Sequence, residues 1–331
     1  MRWSRSRGAL VAALAALVVA LGQGVATAST SGHRGPPLDV SRAKLARSLR
    51  CFPAAGHRSR PPVLLVPGTT LTPDVNFDWN YVPALRAAGI PVCTVRLPRH
   101  AMGDIQVAAE YVVHAIRSLA ARADGRIDVI GFSQGGMIDR WALKYWPDTR
   151  TMVDDTVGID PSNHGTLDAD AICAAGCAPA FWQQRTGSAF LRALNTGPET
   201  WPGISYTQVY SCDDEVVVPN LGPRASSRLT TGKGEIRNLA AQRICPVHVA
   251  DHLMMGSIDP VAYAVVRDAL AHPGPADPSR IDRSVCHRLL MPGVDPARLP
   301  RNEARLASEV ARSIATTPPV RHEPPLRPYA R

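Results

Sequence analysis

A short, mostly apolar run, residues 127–130, stops at a serine set between glycines, Gly131-Phe132-Ser133-Gln134-Gly135. A helix-like pattern follows, with Met137, Trp141, Ala142 and Tyr145 recurring on one face. This strand–turn–helix order leaves few folds open. The glycines permit a sharp turn that a side chain would obstruct, so the serine hydroxyl stands at the end of a strand. The start of the helix aims free backbone N–H groups at the same point, where developing negative charge is stabilised. The pentapeptide alone is only moderately specific, and a small turn that happens to carry serine is the competing explanation.

The flanking pattern is that of a layered chain. Residues 62–66 read as a strand that runs into Pro67-Gly68-Thr69-Thr70. A short helix is predicted at 80–88, a strand at 92–97 and an amphipathic helix at 105–122, with Ile105, Ala108, Val112, Ala115, Ile116 and Leu119 on its buried side. Another strand covers 152–159. Apolar strands alternating with such helices predict an α/β fold, a mostly parallel central sheet covered on both faces. Residues 166–200 are alanine-rich, with Ile172, Phe181, Trp182, Phe190 and Leu191 available to cover a cavity. A small helical lid or cap is predicted there; a crossover helix with an extended loop fits the pattern nearly as well. The sheet resumes at 206–210, turns through Ser211-Cys212-Asp213-Asp214 before the apolar residues 215–219, and has a predicted strand at 246–250 that ends in Asp251-His252. Helices follow at 257–272 and 299–314. The proline-rich segment 318–331 reads as a tail packed along the body, and 29–60 as a polar leader with one helical piece near 42–49.

Both polar candidates therefore sit just after late strands, and Ser133, Asp214 and His252 occur in the serine–acid–histidine order that accompanies such a turn. In this reading Ser133 attacks an ester carbonyl, His252 takes its proton, and Asp214 holds the histidine tautomer. The oxyanion falls to the N–H of Gln134 and to the turn after the first strand, with Thr69 as the leading donor. Asp213 and Asp160 are rival acids, Asp251 a residue that orients the loop, and His164 a rival base better suited to a substrate-loop or surface role. His114, inside a helix, reads as a packed or surface side chain.

The N-terminus bears on compartment. Arg2, Arg5 and Arg7 precede an apolar run at 9–21, and Ala26-Thr27-Ala28 supplies a small-residue cleavage site, so residues 1–28 are expected to be a secretory signal peptide. The run falls short of the ~20 residues that span a bilayer. Residues 29–331 are then one secreted, extracellular domain, expected to be a monomer without a transmembrane segment. The three signal-peptide arginines contribute to the net charge of +9, and no dense basic block alternates with aromatics, which argues against a nucleic-acid partner. Seven cysteines in an exported chain suggest disulfides, and their spacing matches no zinc site. Pairing cannot be read from spacing. Cys173 and Cys177, four apart, would share a helix face, where a bridge needs local adjustment. No metal and no cofactor is expected.

The segments Leu64-Leu65-Val66-Pro67-Gly68-Thr69, Ser133-Gln134-Gly135-Gly136, Trp182-Gln183-Gln184, Thr186-Gly187-Ser188-Ala189, Asp214-Glu215, Asp251-His252 and Pro328-Tyr329-Ala330-Arg331 resemble the fungal lipase B family, small secreted α/β-hydrolases of the Candida antarctica type, and its bacterial relatives. The likeness covers about residues 45–331. It implies the α/β-hydrolase fold, with Ser133 as nucleophile, Asp214 as acid, His252 as base, and Thr69 and Gln134 as oxyanion donors. It also implies hydrolysis of triacylglycerols and simple esters at an oil–water interface, and disulfides Cys51–Cys93 and Cys245–Cys286. Phe132, Ser162 and Gln184 fall in the family's substrate pocket. Phe132 stands where the family has tryptophan at the floor of the alcohol pocket, which should leave more room. Ser162 replaces an acidic residue near the acyl pocket, and Gly131 replaces a threonine. His322 stands where a third, C-terminal disulfide would have a cysteine. The pair at 173 and 177 is additional and would staple the presumed lid, leaving Cys212 free.

The leading reading is a secreted serine ester hydrolase, a triacylglycerol lipase working through an acyl-enzyme. A short-chain or polyester carboxylesterase is the alternative. A noncatalytic binding module on the same fold is the reading from a different class.

Overall fold

The computed structural model describes residues 34–55 and 60–331, so the signal-peptide expectation for 1–28 lies outside the described residues. The strands are β1 (Leu49–Phe52), β2 (Val63–Val66), β3 (Val92–Val95), β4 (Ile127–Phe132), β5 (Val153–Ile159), β6 (Ser205–Tyr210) and β7 (Glu235–Ala240). They form one sheet in the order β1-β3-β2-β4-β5-β6-β7. Only β1 runs antiparallel, on β3; the other pairs are parallel. Every residue of β2, β3 and β4 is buried, as expected of strands with helices on both faces.

Successive side chains divide between the two faces with period two. Leu64, Val66 and Val129 pack with Ile105, Ile116, Met137 and Trp141, which come from α3 (Ile105–Ala123) and α4 (Gln134–Tyr145). Val63, Leu65 and Ile130 pack instead with Val82 and Leu85 of α2 (Tyr81–Ala87) and Val261 and Val265 of α8 (Pro260–Ala269). The leader helix is α1 (Arg42–Ser48). α5 (Leu167–Ile172), α6 (Pro179–Gln184) and the long α9 (Leu299–Thr316) bring side chains together next to Ser133, while α7 (Ala189–Asn195) packs on α4, with Phe190 stacked on Trp141. No helix of the described residues is long and apolar enough to cross a membrane.

The tail is tied to the body at both ends. The Glu323 carboxylate accepts the first N–H groups of α7, from Ala189 (2.8 Å) and Phe190 (2.7 Å), where the helix dipole favours negative charge. Tyr329 packs edge-on against Trp141 and Trp146.

One sequence expectation fails in the last third. Residues 246–250 form no strand: Val247 and Val249 are 94% and 74% exposed. The final strand is β7, whose outer half is exposed at alternate positions because it lies on the sheet edge, so its polar residues hide it from an apolar-run criterion. Residues 215–219 continue the turn, with the Val216 and Val217 N–H groups directed back onto a carboxylate.

Asp139 of α4 is buried with one carboxyl oxygen unpartnered, and burial pushes its pKa up to about 7. The folded chain therefore keeps a proton that the unfolded chain loses near pH 4, and stability contributed below that pH is lost as pH rises toward 7. Asp139→Asn should remove about one proton's worth of this slope, about 1.4 kcal/mol per pH unit. Urea midpoints at about pH 5 and about pH 7 test this; a variant whose pH slope matches the parent would contradict it.

Candidate active site

β4 leads directly into Ser133, whose φ of 55° and ψ of −122° lie in a region that side chains rarely adopt. The surroundings hold it there. Its N–H donates to Ile159 O at 2.8 Å, and its carbonyl accepts the Gly136 N–H at 3.1 Å. A Cβ on Gly131 would collide with the Gly135 and Gly136 backbone, and one on Gly135 with the Val66 carbonyl. Both positions need glycine because the turn brings two backbones together.

The turn after β6 presents Asp214, buried beneath the sheet's end. Oδ1 accepts N–H bonds from Val216 (2.9 Å) and Val217 (2.8 Å). Oδ2 accepts from His252 Nδ1 at 2.9 Å and from the Asn220 amide at 3.2 Å. Burial alone would raise this carboxyl, but the His252 charge and the hydrogen bonds from His252, Val217 and Val216 outweigh it and hold Asp214 below its ordinary value. His252 opens a short helical turn, His252–Met255, with Asp251 capping it by accepting the Met254 N–H at 2.7 Å. The backbone N–H of His252 is fixed by Glu215 at 3.0 Å, and its ring lies 4.8 Å from that of Phe132. With Nδ1 directed at Asp214, Nε2 is the nitrogen left for a substrate-side proton.

Ser133, His252, Thr69, Phe132 and Gln184 line one cavity of about 230 Å³. The Thr69 hydroxyl oxygen accepts from the side-chain amides of Gln134 and Gln184, both at 3.0 Å. With both lone pairs engaged, its proton is free to be donated. Gln184 is oriented in turn by Ser162, whose hydroxyl donates to Gln184 Oε1 at 2.9 Å. Ser162 is buried behind Gln184 and is not part of the cavity wall, so it shapes the pocket only through that amide. Ile172 of α5, Val216, and Val310 and Ile314 of α9 form the mouth.

Thr69→Val should cost about 10²-fold in kcat on a p-nitrophenyl ester with KM nearly unchanged, the signature of a donor used in the transition state. A rise in KM at constant kcat would assign the hydroxyl to substrate binding instead.

Of the rival residues, Asp213, His164 and His114 lie away from this cavity, and Asp160 lies beside the histidine. Asp213 is exposed and accepts from Gln242. His164 is held by the Ser226 carbonyl and by Glu199 (2.8 Å), which is itself near buried Arg140. His114 contacts Ser118 of its own helix. Asp160, after β5, is fully buried 4.0 Å from His252 Nδ1. The sequence carried no signal for Asn220 or Glu215 as partners of the acid and the histidine. Cys51–Cys93, Cys173–Cys177 and Cys245–Cys286 are bonded, and half-buried Cys212 is free. Burial, with Asp213 beside it, pushes the Cys212 thiol up, which makes it a poor nucleophile.

Residues 110–255 match the family model described as lipase (class 2). The chain is 34% identical over 303 residues to lipase B of Pseudozyma antarctica, covering 89% of this chain and 86% of that protein. Among solved structures it superposes on Aspergillus fumigatus lipase B with a TM-score of 0.81 at 32% identity, over 90% of this chain and 74% of that one. The propeptide form of Bacillus licheniformis lipase BlEst2, at 16% identity and a TM-score of 0.52 over 69% of this chain and 54% of that one, shares the fold.

Proposed function

This chain belongs to the lipase B family of serine ester hydrolases, and from that premise we propose that Ser133, His252 and Asp214 are its nucleophile, base and acid. The observation that carries the assignment is the 2.9 Å bond from His252 Nδ1 to a buried carboxylate, with His252 and the strained Ser133 lining the same cavity. His252 Nε2 takes the Ser133 proton as Oγ attacks the ester carbonyl, then returns it to the departing alcohol. The backbone N–H of Gln134 and the Thr69 hydroxyl and N–H receive the oxyanion. Water, activated by the same histidine, releases the acid and restores Ser133. Asp214 keeps the proton on Nδ1 throughout and stabilises the imidazolium.

The preferred substrate is an acylglycerol at an oil surface. Leu167, Ile172 and Ile314 are each about half exposed, at 52%, 52% and 51%, on the two helices beside the mouth. An apolar rim of this kind suits contact with lipid. The region 166–200, stapled by Cys173–Cys177, forms the cap over the cavity. Three disulfides support an oxidising, extracellular location, and the protein acts as a monomer. Phe132, pressed between Gly68 and Gly256, floors the alcohol side of the pocket.

Rates on short- and long-chain p-nitrophenyl esters and on emulsified triolein test the substrate reading. Strong turnover of the emulsion fits a lipase; activity confined to short soluble esters would assign a carboxylesterase.

A further inference from the structure

A second carboxyl group lies beside the proposed triad. Asp160 follows β5, the strand next to the one that leads into Ser133, and is completely buried at a φ of 41°. A non-glycine residue rarely adopts this conformation, so the surroundings must hold it there. Its Oδ1 accepts the Ser211 N–H at 2.8 Å and shares the Asn220 amide, at 3.2 Å, with Asp214. Its Oδ2 accepts no hydrogen bond and stands 4.0 Å from His252 Nδ1. The histidine thus faces two acids, one bonded and one just out of reach. Their common tether, Asn220, is a single amide.

We propose that Asp160 is a reserve acid of the catalytic site: a positioning residue that sets Asp214 through Asn220 and accepts the His252 Nδ1–H bond when the Asp214 carboxylate is removed. The inference rests on the triad reading given above. In the intact enzyme, burial first and the Asp214 charge second push the Asp160 carboxyl well up, so it stays neutral while Asp214 carries the charge. The neutral form does not compete for the imidazole. Removing Asp214 removes the like charge. Asp160 then ionises more readily, and a shift of about 1 Å brings Oδ2 to hydrogen-bond distance. The groups facing it are Asp214, His252, Asp259 and Tyr81; once Asp214 is gone, His252 favours its charge and Asp259 opposes it.

The test compares Asp160→Asn, Asp214→Ala and the double variant on a p-nitrophenyl ester, with near-UV circular dichroism checking the fold. Asp160→Asn keeps the shape of the neutral carboxyl but cannot ionise, and its own loss in kcat is the factor by which the double variant is corrected. Asp214→Ala should keep about 10²-fold more activity than the double variant, within the roughly 10⁴-fold span expected for complete loss of the acid. Its rate should also rise with pH as Asp160 loses its proton, a limb absent from the parent. A merely structural Asp160 would not produce that limb. The downfield Nδ1–H proton resonance of His252 should persist in Asp214→Ala and vanish in the double variant. Equal activity of folded Asp214→Ala and the double variant, with no new pH limb, would overturn the proposal. Full turnover by Ser133→Ala would also overturn it, in a distinguishable way, by removing the triad on which it rests.

Discussion

His252→Ala is expected to lower kcat about 10⁶-fold on every ester, because the nucleophile and its base act as one unit. Ser133→Ala should cost a similar factor, and the two together little more than either alone. Residual hydrolysis of about 10³-fold over water should survive in all three, from the oxyanion donors and substrate binding. The geometry explains why no other group substitutes for the base. His164 and His248 are each bound to a carboxylate, Glu199 and Asp259 respectively, and neither lines the cavity. A His252→Ala variant losing only tenfold would mean that another base serves Ser133. The comparison requires folded proteins with matched circular dichroism and steady-state rates over several decades of enzyme concentration.

The second large effect is structural. Gly135→Ala would place a methyl group against the Val66 carbonyl, with Pro67 O also close. Both sides of this contact are backbone: one is the first turn of α4, the other the end of β2, buried in the middle of the sheet. Neither can yield as a flexible side chain would. The expected cost is about 4 kcal/mol or more, at the upper end of single substitutions. It should appear as a large fall in the urea midpoint and as lost activity, since the same strands carry Ser133 and Thr69. A Gly135→Ala protein with parental stability would show that the elbow has slack the structure does not display.

These expectations draw on features that differ in how openly the sequence displayed them. β2, β4 and α3 were legible because a strand buried on both faces is continuously apolar and a one-sided helix repeats every 3.6 residues. Ser133, Asp214 and His252 were legible as a chain order, each just beyond an apolar segment, and the structure brings Asp214 and His252 into contact and all three to one end of the sheet. The last third was harder. Val247 and Val249 alternate like a half-buried strand yet stand in solvent, while β7 carries Glu235, Arg237 and Asn238 because its position at the edge tolerates them. Pairing relations were least visible. The tie between Asp160 and Asn220 spans 60 residues and that between Thr69 and Gln184 spans 115; they are made by packing, which no local pattern encodes. Ser162 illustrates the same limit. The family resemblance set it near the acyl pocket, and packing places it behind Gln184, whose amide it orients.

The most direct measurement is covalent labelling of the folded protein with a p-nitrophenyl alkylphosphonate, followed by peptide mass mapping and ester turnover. The account predicts one phosphonyl group per chain, on Ser133, with turnover lost in proportion to labelling and no labelling of His252→Ala on the same timescale. Labelling at another residue, or full ester turnover by a protein completely modified at Ser133, would contradict it.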